Sequence, residues 1–142
     1  MGKALMRPLV VLCLFVVAAC STSTPSLTPA QHLYNAHGNY NIALGVAVNY
    51  AESNVANPAI VSRLRQANDL AAPAFRYAQA FLACSSAAGT QDPVAMAANP
   101  QCSGLDLSEG AVRRNASTLS NTAGTIFGLL RSAVANRMIG GN

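Results

Sequence analysis

Cysteine and histidine are the residue types of this chain whose side chains could do chemistry. The four cysteines fall into two groups, Cys13 and Cys20 near the start and Cys84 and Cys102 in the second half. A thiol can form a disulfide, carry a lipid or ligate a metal ion. The thiols of Cys84 and Cys102 are too few ligands for a metal site, and the two histidines lie far from them in the sequence. We therefore expect neither a metal site nor a cofactor.

The first 20 residues have the parts of a secretory signal. Lys3 and Arg7 form a basic beginning, an apolar run follows from Pro8 to Val17, and small residues lead up to Cys20. This run is much shorter than the ~20 apolar residues that span a bilayer as a helix. We therefore expect a cleaved signal rather than a permanent transmembrane anchor.

The tetrapeptide Val17-Ala18-Ala19-Cys20 resembles the lipobox of bacterial lipoproteins. The resemblance covers residues 1–20 and implies that a diacylglycerol is attached to the Cys20 thiol, that the chain is cut before it, and that the new amino group is acylated. Buried acyl chains contribute ~0.8 kcal/mol per CH₂ to membrane binding. Ser21 stands where the family's inner-membrane retention signal places Asp, which implies the periplasmic face of the outer membrane. An ordinary cleaved signal with a coincidental cysteine and a signal anchor are the alternatives.

Cys84 and Cys102 are the pair that remains once Cys13 leaves with the signal and Cys20 carries lipid. Export implies an oxidising compartment, where an even pair of cysteines predicts one disulfide. Closing a loop of this length contributes on the order of 3 kcal/mol in the chain-entropy model. Two free thiols are the alternative.

The chain is expected to divide into a signal peptide at residues 1–19, the lipidated cysteine and a polar tether at 20–28, and one helical domain at 29–142. Cleavage of the signal removes two of the nine basic residues and lowers the formal net charge from +4 by two. The arginines that remain form no concentrated basic stripe, so we expect no nucleic-acid partner.

Apolar residues at spacings of three and four predict three long helices and no strand. The first helix opens at Thr28, where Gln31 completes a capping box and Pro29 suits the first helical position. Asn57-Pro58 separates the first helix from the second. The apolar face of the first helix is expected to be Leu33, His37, Tyr40, Leu44, Ala47, Ala51 and Val55.

The second helix contains Pro73, which removes one backbone hydrogen bond. We expect a kink near Asp69 or, alternatively, a break into two shorter helices at Ala72. Its apolar face is expected to be Ile60, Leu64, Ala67, Ala71, Phe75, Ala78 and Leu82.

The third helix is expected to begin near Asp106 with Glu109 as its capping-box partner. In the loop before it, Asp92-Pro93 predicts one short helical turn. The apolar face of the third helix is expected to be Val112, Ala116, Leu119, Ala123, Ile126, Leu130 and Val134. Matched lengths and one very short connection favour an all-α, antiparallel up-down-up three-helix bundle.

Two features of these helices suggest sites. His32 and His37 lie ~140° apart, so they cannot chelate one ion together. His37 shares a face with Tyr40, a pair that could ligate haem, but we favour a core histidine hydrogen-bonded within the bundle.

The second feature is a ladder of small residues at intervals of four in the third helix. It consists of Ser120, Gly124, Gly128 and Ser132. Glycine inside an exposed helix costs ~1 kcal/mol relative to alanine, and close docking of another helix would justify that cost. Compositional drift or a close crossing inside the bundle is the alternative.

The pattern of polar residues predicts no enzyme, because the five acids are scattered and the serines lack the turn context of a nucleophile elbow. We therefore predict a non-enzymatic structural or protein-interaction lipoprotein of the cell envelope, which contacts an envelope protein or itself. A carrier of a small apolar ligand is one alternative. A phage-encoded envelope factor, acting in lysis or superinfection exclusion, is another. The mature domain resembles alanine-rich helical lipoproteins of bacteria and phages that have a cysteine pair in a loop, but no motif in it carries a function across.

Overall fold

The computed structural model describes residues 26–140, with side chains through Asn136, and this part of the chain is all-helical. Four α-helices pack against one another, and no strand occurs between residues 26 and 140. The predicted helical class is therefore confirmed. The elements are α1 (Pro29–Ala51), α2 (Pro58–Ala88), the short α3 (Pro93–Ala97), a 3₁₀ turn (Pro100–Cys102) and α4 (Glu109–Gly140).

Capping residues set the beginnings of α1, α2 and α3 where the sequence predicts them. At α1 the Thr28 hydroxyl accepts the Gln31 N–H at 3.2 Å, and the Gln31 side chain accepts the Thr28 N–H at 2.9 Å. Asn57 and Asp92 cap α2 and α3 through a side-chain oxygen. A proline follows each cap, in a position where its missing N–H costs no helical hydrogen bond.

α4 begins later than predicted, because Ser108 and not Asp106 is its cap. The Ser108 hydroxyl accepts the backbone N–H three residues on at 3.2 Å. Asp106 instead accepts the Ser108 N–H at 3.0 Å, and its backbone carbonyl accepts the Tyr77 hydroxyl at 2.6 Å. Glu109 is the first residue of α4 and pairs with Arg113 one turn on. The predicted capping box at Asp106 and Glu109 is therefore wrong.

α1 ends at Ala51, one turn before the predicted Val55. The Tyr50 hydroxyl accepts the Asn57 N–H at 2.9 Å, and the Ser53 hydroxyl donates to the Tyr50 carbonyl at 2.6 Å. These bonds turn the chain back toward α2 before Val55 can join the helix. Val55 is exposed in the connection, so its predicted place on the buried face is wrong.

α2 continues unbroken through Pro73. The alternative of two shorter helices that meet at Ala72 is therefore wrong. Pro73 lies on the exposed side of α2, whereas Ala71 and Ala74 on either side of it are buried. Packing of these alanines holds the helix together across the missing backbone hydrogen bond.

Alanine supplies about half of the buried hydrophobic residues in the described part, so the helices pack closely around a few large side chains. The largest fully buried side chains are Tyr40, Phe81, Leu33, Met96, Leu119, Ile126 and Val112. Most of the predicted faces are confirmed, but α2 turns Phe81 and Cys84 inward in place of Leu82. The other predicted face residues that are only half-buried are His37, Leu44, Ile60 and Phe75, and those that are exposed are Ala51 and Val134.

One end of the molecule contains the beginnings of α1 and α4 and the loop between α2 and α4. Thr28 and Pro29 line a surface groove there together with residues 90–93 and Glu109. We call this end the foot. It is the end at which the described chain begins.

Candidate functional site

A disulfide joins Cys84, in the last turn of α2, to Cys102 in the 3₁₀ turn. The two Cα atoms are 5.1 Å apart, and both cysteines are buried. The predicted pairing is confirmed, and the alternative of two free thiols is wrong. The bond ties the loop between α2 and α4, residues 89–107, to the last turn of α2; we call this segment the foot loop.

Additional contacts hold the foot loop on both sides of the disulfide. The Ser85 hydroxyl donates to the Thr90 carbonyl at 2.8 Å, and Gly89 ends α2 at a φ of 66°, which a side chain would strain. Within the loop, Met96 of α3 is fully buried in the core, whereas Val94 is 80% exposed. The loop is therefore attached at several points and presents the large apolar side chain of Val94 outward.

The foot groove has a volume of about 530 Å³. Its apolar wall consists of Ala30, Phe81 and Val112, which are core residues. Its rim includes Asp92 and Glu109, whose carboxylates are already used: Asp92 caps α3, and Glu109 pairs with Arg113. The groove therefore offers an apolar surface within a polar rim.

The two histidines lie apart, as predicted. His37 is half-buried and stacks on Phe75 with ring centroids 5.1 Å apart, and the Asn41 amide nitrogen lies 3.3 Å from its Nδ1. Burial lowers the pKa of His37. His32 is exposed and lines a separate groove beside Arg113. The predicted core histidine is thus confirmed in part, because His37 lies at the edge of the core.

Tyr40 makes a long-range polar contact that the sequence did not predict. Its hydroxyl donates to Asn68 Oδ1 at 2.8 Å and so joins α1 to α2. Burial, with a smaller contribution from the Asp69 carboxylate, raises the pKa of Tyr40. The phenol is therefore a structural hydrogen-bond donor.

The small-residue ladder lies on the outside of α4. Ser120, Gly124, Gly128 and Ser132 are all exposed. A Cβ added at Gly124 or Gly128 would meet nothing within 4 Å. The alternative of a close crossing inside the bundle is therefore wrong for these glycines, whereas docking of a partner stays a prediction.

The sequence predicted the buried face of α1, but its outer face was not recognised as a candidate surface. Gly38 and Gly45 lie on this face, and a Cβ added at either would also meet nothing within 4 Å. Tyr34 and Ile42 are 58% and 61% exposed. One signal was available: residues 29–51 contain no Asp, Glu, Lys or Arg.

The predicted lipidation site, Cys20, and the rest of the lipobox lie outside the described residues. Between residues 26 and 140, no helix is both long and apolar enough to span a bilayer. The same stretch contains no cluster of three His, Cys, Asp or Glu side chains arranged to hold a metal ion.

Comparison with protein families, with curated proteins and with solved structures finds no match for this chain.

Proposed function

We propose that the protein is a lipid-anchored, non-enzymatic interaction module of the bacterial cell envelope, held by acyl chains on Cys20 at the periplasmic face of the outer membrane. The lipobox-like sequence before Cys20 supports the anchor. The exposed glycines of α4 support the interaction role.

The observation that carries the interaction role is the surroundings of Gly124 and Gly128. Each glycine destabilises a helix by ~1 kcal/mol relative to alanine. Neither is needed for packing within the described part of the chain, because an added Cβ would meet nothing there within 4 Å. A partner helix that approaches the α4 backbone closely would make both glycines useful. The ladder Ser120, Gly124, Gly128 and Ser132 is therefore the proposed docking face.

The proposed architecture is an up-down-up bundle of α1, α2 and α4, with the foot beside the membrane. Pairs of neighbouring residues support it. His37 stacks on Phe75 and Tyr40 reaches Asn68, and these two contacts support an antiparallel arrangement of α1 and α2. His32 lines a groove with Arg113, which supports the same direction for α1 and α4. A short tether from Cys20 to Thr28 would then keep the disulfide loop close to the lipid.

The anchor is tested by growing cells on radiolabelled palmitate with the wild-type chain and a Cys20→Ser variant. We expect label and membrane retention in the wild type, and loss of both in the variant. A Cys13→Ser variant is the matched control, since Cys13 should leave with the signal. Equal labelling of wild type and Cys20→Ser would contradict lipidation at Cys20.

The docking face is tested with Gly124→Ala and Gly128→Ala combined. Filling the space should weaken capture of the partner by crosslinking in intact cells, while the helix gains ~1 kcal/mol per site. An Ala135→Ser variant, elsewhere on the exposed surface of α4, is the control. Higher stability with unchanged crosslinked products would eliminate the proposed face.

A second candidate function is carriage of a small apolar ligand, and the foot groove favours it. A volume of about 530 Å³ lies within the range of ~300–1,000 Å³ found for ligand pockets. Binding of a fluorescent fatty acid should be reduced by Gln91→Trp at the rim and unaffected by Gln79→Trp on the exposed side of α2. No saturable binding to the wild-type protein would exclude this function.

A further inference from the structure

The outer surface of α1 is an uncharged helix face that no other part of residues 26–136 covers. About half of the residues in Pro29–Ala51 are exposed, yet none of them is acidic or basic apart from histidine. The exposed surface of α2 differs, since it carries Arg63, Arg65 and Asp69. A surface helix ordinarily places charged residues opposite its buried face. α1 departs from this rule over its whole length.

Five residues on the outer side of α1 form a regular stripe, in which Gly38 is half-buried and the others are exposed. Tyr34, Gly38, Asn41, Gly45 and Val48 follow one another at alternating steps of four and three. This spacing keeps residues on one side of a helix over successive turns and is the spacing of a seam between two helices. Exposed apolar side chains, at Ile42 and Val46, flank the stripe.

The two glycines of this stripe have no packing role among the residues that the structure describes. A Cβ added at Gly38 or Gly45 would meet nothing within 4 Å. Glycine in the middle of a helix lowers its stability relative to alanine. Tyr34, Asn41 and Val48 alternate with these glycines, so the stripe presents side chains and gaps in turn.

We propose that the α1 stripe is the interface with a second copy of this chain, in a parallel, twofold-symmetric pair. In such a pair each residue of the stripe faces its own counterpart, so Gly38 and Gly45 would let the two α1 backbones approach closely. Its lack of charge matters, because two copies of a chain with net positive charge meet there without like charges in contact. Two copies anchored to the same membrane through Cys20 would have their α1 helices running in the same direction. A second copy would thus be the partner in the proposed interaction role. The parallel orientation rests on the lipid anchor of the proposed function.

The size of the face sets the expected strength of the pair. The 23 residues of α1 extend about 35 Å, and at a width of ~10 Å they offer roughly 350 Å² of footprint per copy. A stable interface buries about 800 Å² per partner. The pair should therefore be weak for molecules free in solution and favoured for molecules concentrated on one surface.

The first experiment uses Asn41→Cys and Val48→Cys, made separately in the full chain and oxidised mildly in intact cells. In a parallel pair each new thiol meets its own counterpart, so both variants should give a disulfide-linked band at twice the monomer mass. Mass spectrometry should find the residue joined to the same residue. Gln66→Cys, exposed on α2, and the chain without an added cysteine are the controls and should give only background.

The second experiment combines the cysteine variants with Gly38→Glu and Gly45→Glu. The crosslinked band should fall to background, while thermal unfolding shows no loss of stability because glutamate favours helix more than glycine does. Gly124→Glu with Gly128→Glu makes the same change on α4 and should leave the crosslink unchanged.

Three outcomes would overturn the proposal: a monomer-mass product alone, capture of a different protein at Asn41→Cys and Val48→Cys, or a crosslink that survives the Gly38→Glu and Gly45→Glu changes. Failure of the lipid anchor is separately visible. Without it, Cys20→Ser would leave membrane retention unchanged, whatever the crosslinking shows.

Discussion

The hydroxyl of Tyr40 donates a 2.8 Å hydrogen bond to Oδ1 of Asn68, which lies 28 residues further along the chain. The Tyr40 ring is almost completely buried and also lies against Phe75, with centroids 5.4 Å apart. One side chain thus fills space between α1 and α2 and fixes how far one helix is displaced along the other.

We predict that Tyr40→Phe lowers the free energy of unfolding by about 1 kcal/mol, because Asn68 loses its partner while the packing is kept. Tyr34→Phe is the control, since Tyr34 is exposed and should change stability little. Urea denaturation measures both. A double-mutant cycle with Asn68→Ala should show coupling between the two residues, and additive effects would contradict the role given to this hydrogen bond.

We predict that Cys84→Ala combined with Cys102→Ala lowers the free energy of unfolding by roughly 3 kcal/mol, because the closed loop restricts the unfolded chain. Hydrogen exchange should become faster first in residues 89–107, which the bond holds to α2. Reduction of the wild-type protein should reproduce the loss. Equal denaturation midpoints for the oxidised and reduced protein would show that the loop is held by its other contacts alone.

We predict that stability decreases as the pH falls below 6.5. Burial lowers the pKa of His37 from 6.5 in the folded protein, so the unfolded chain takes up a proton first. The loss begins near pH 6.5 and continues until the pH reaches the lowered folded-state pKa. His37→Gln should reduce this pH dependence in thermal unfolding. His32→Gln is the matched control for loss of an imidazole, and an equal effect of both variants would contradict the assignment to His37.

We predict that Pro73→Ala stabilises the protein by roughly 1–3 kcal/mol. Proline in a helix interior costs about 3 kcal/mol, and alanine restores the missing backbone donor. Pro73 is exposed, so no core contact is lost. Chemical denaturation measures the gain, with Ala80→Gly expected to destabilise α2 by about 1 kcal/mol. A loss of stability in Pro73→Ala would mean that the proline is required by the shape of α2.

Local sequence signals correctly predicted the beginnings of α1, α2 and α3. Thr28, Asn57 and Asp92 cap their helices through atoms two or three residues away. The beginning of α4 was placed wrongly because Asp106 and Ser108 are both of a capping type. The structure shows that Ser108 is the cap, while the Asp106 carbonyl accepts the Tyr77 hydroxyl from another helix. The end of α1 was placed wrongly because the Tyr50 hydroxyl bonds to the Asn57 N–H across the connection.

Of the two candidate surfaces, one was predicted from the sequence and the other required the structure. The ladder on α4 was predicted from its spacing, because the position of a residue around one helix follows from 3.6 residues per turn. The stripe on α1 was not recognised, since deciding whether Gly38 and Gly45 serve internal packing requires the positions of the neighbouring helices. The structure answers that question by showing open space at both glycines.

The sequence by itself determined the helical class, the caps of the first three helices and the disulfide pairing of the two cysteines in the second half of the chain. These depend on periodicity, on contacts between near neighbours and on an even number of thiols. Only the tertiary structure decided which way α2 faces, where α1 ends and α4 begins, and which glycines are exposed. Those properties depend on side chains from different helices, such as Tyr40 and Asn68, whose approach no local pattern encodes.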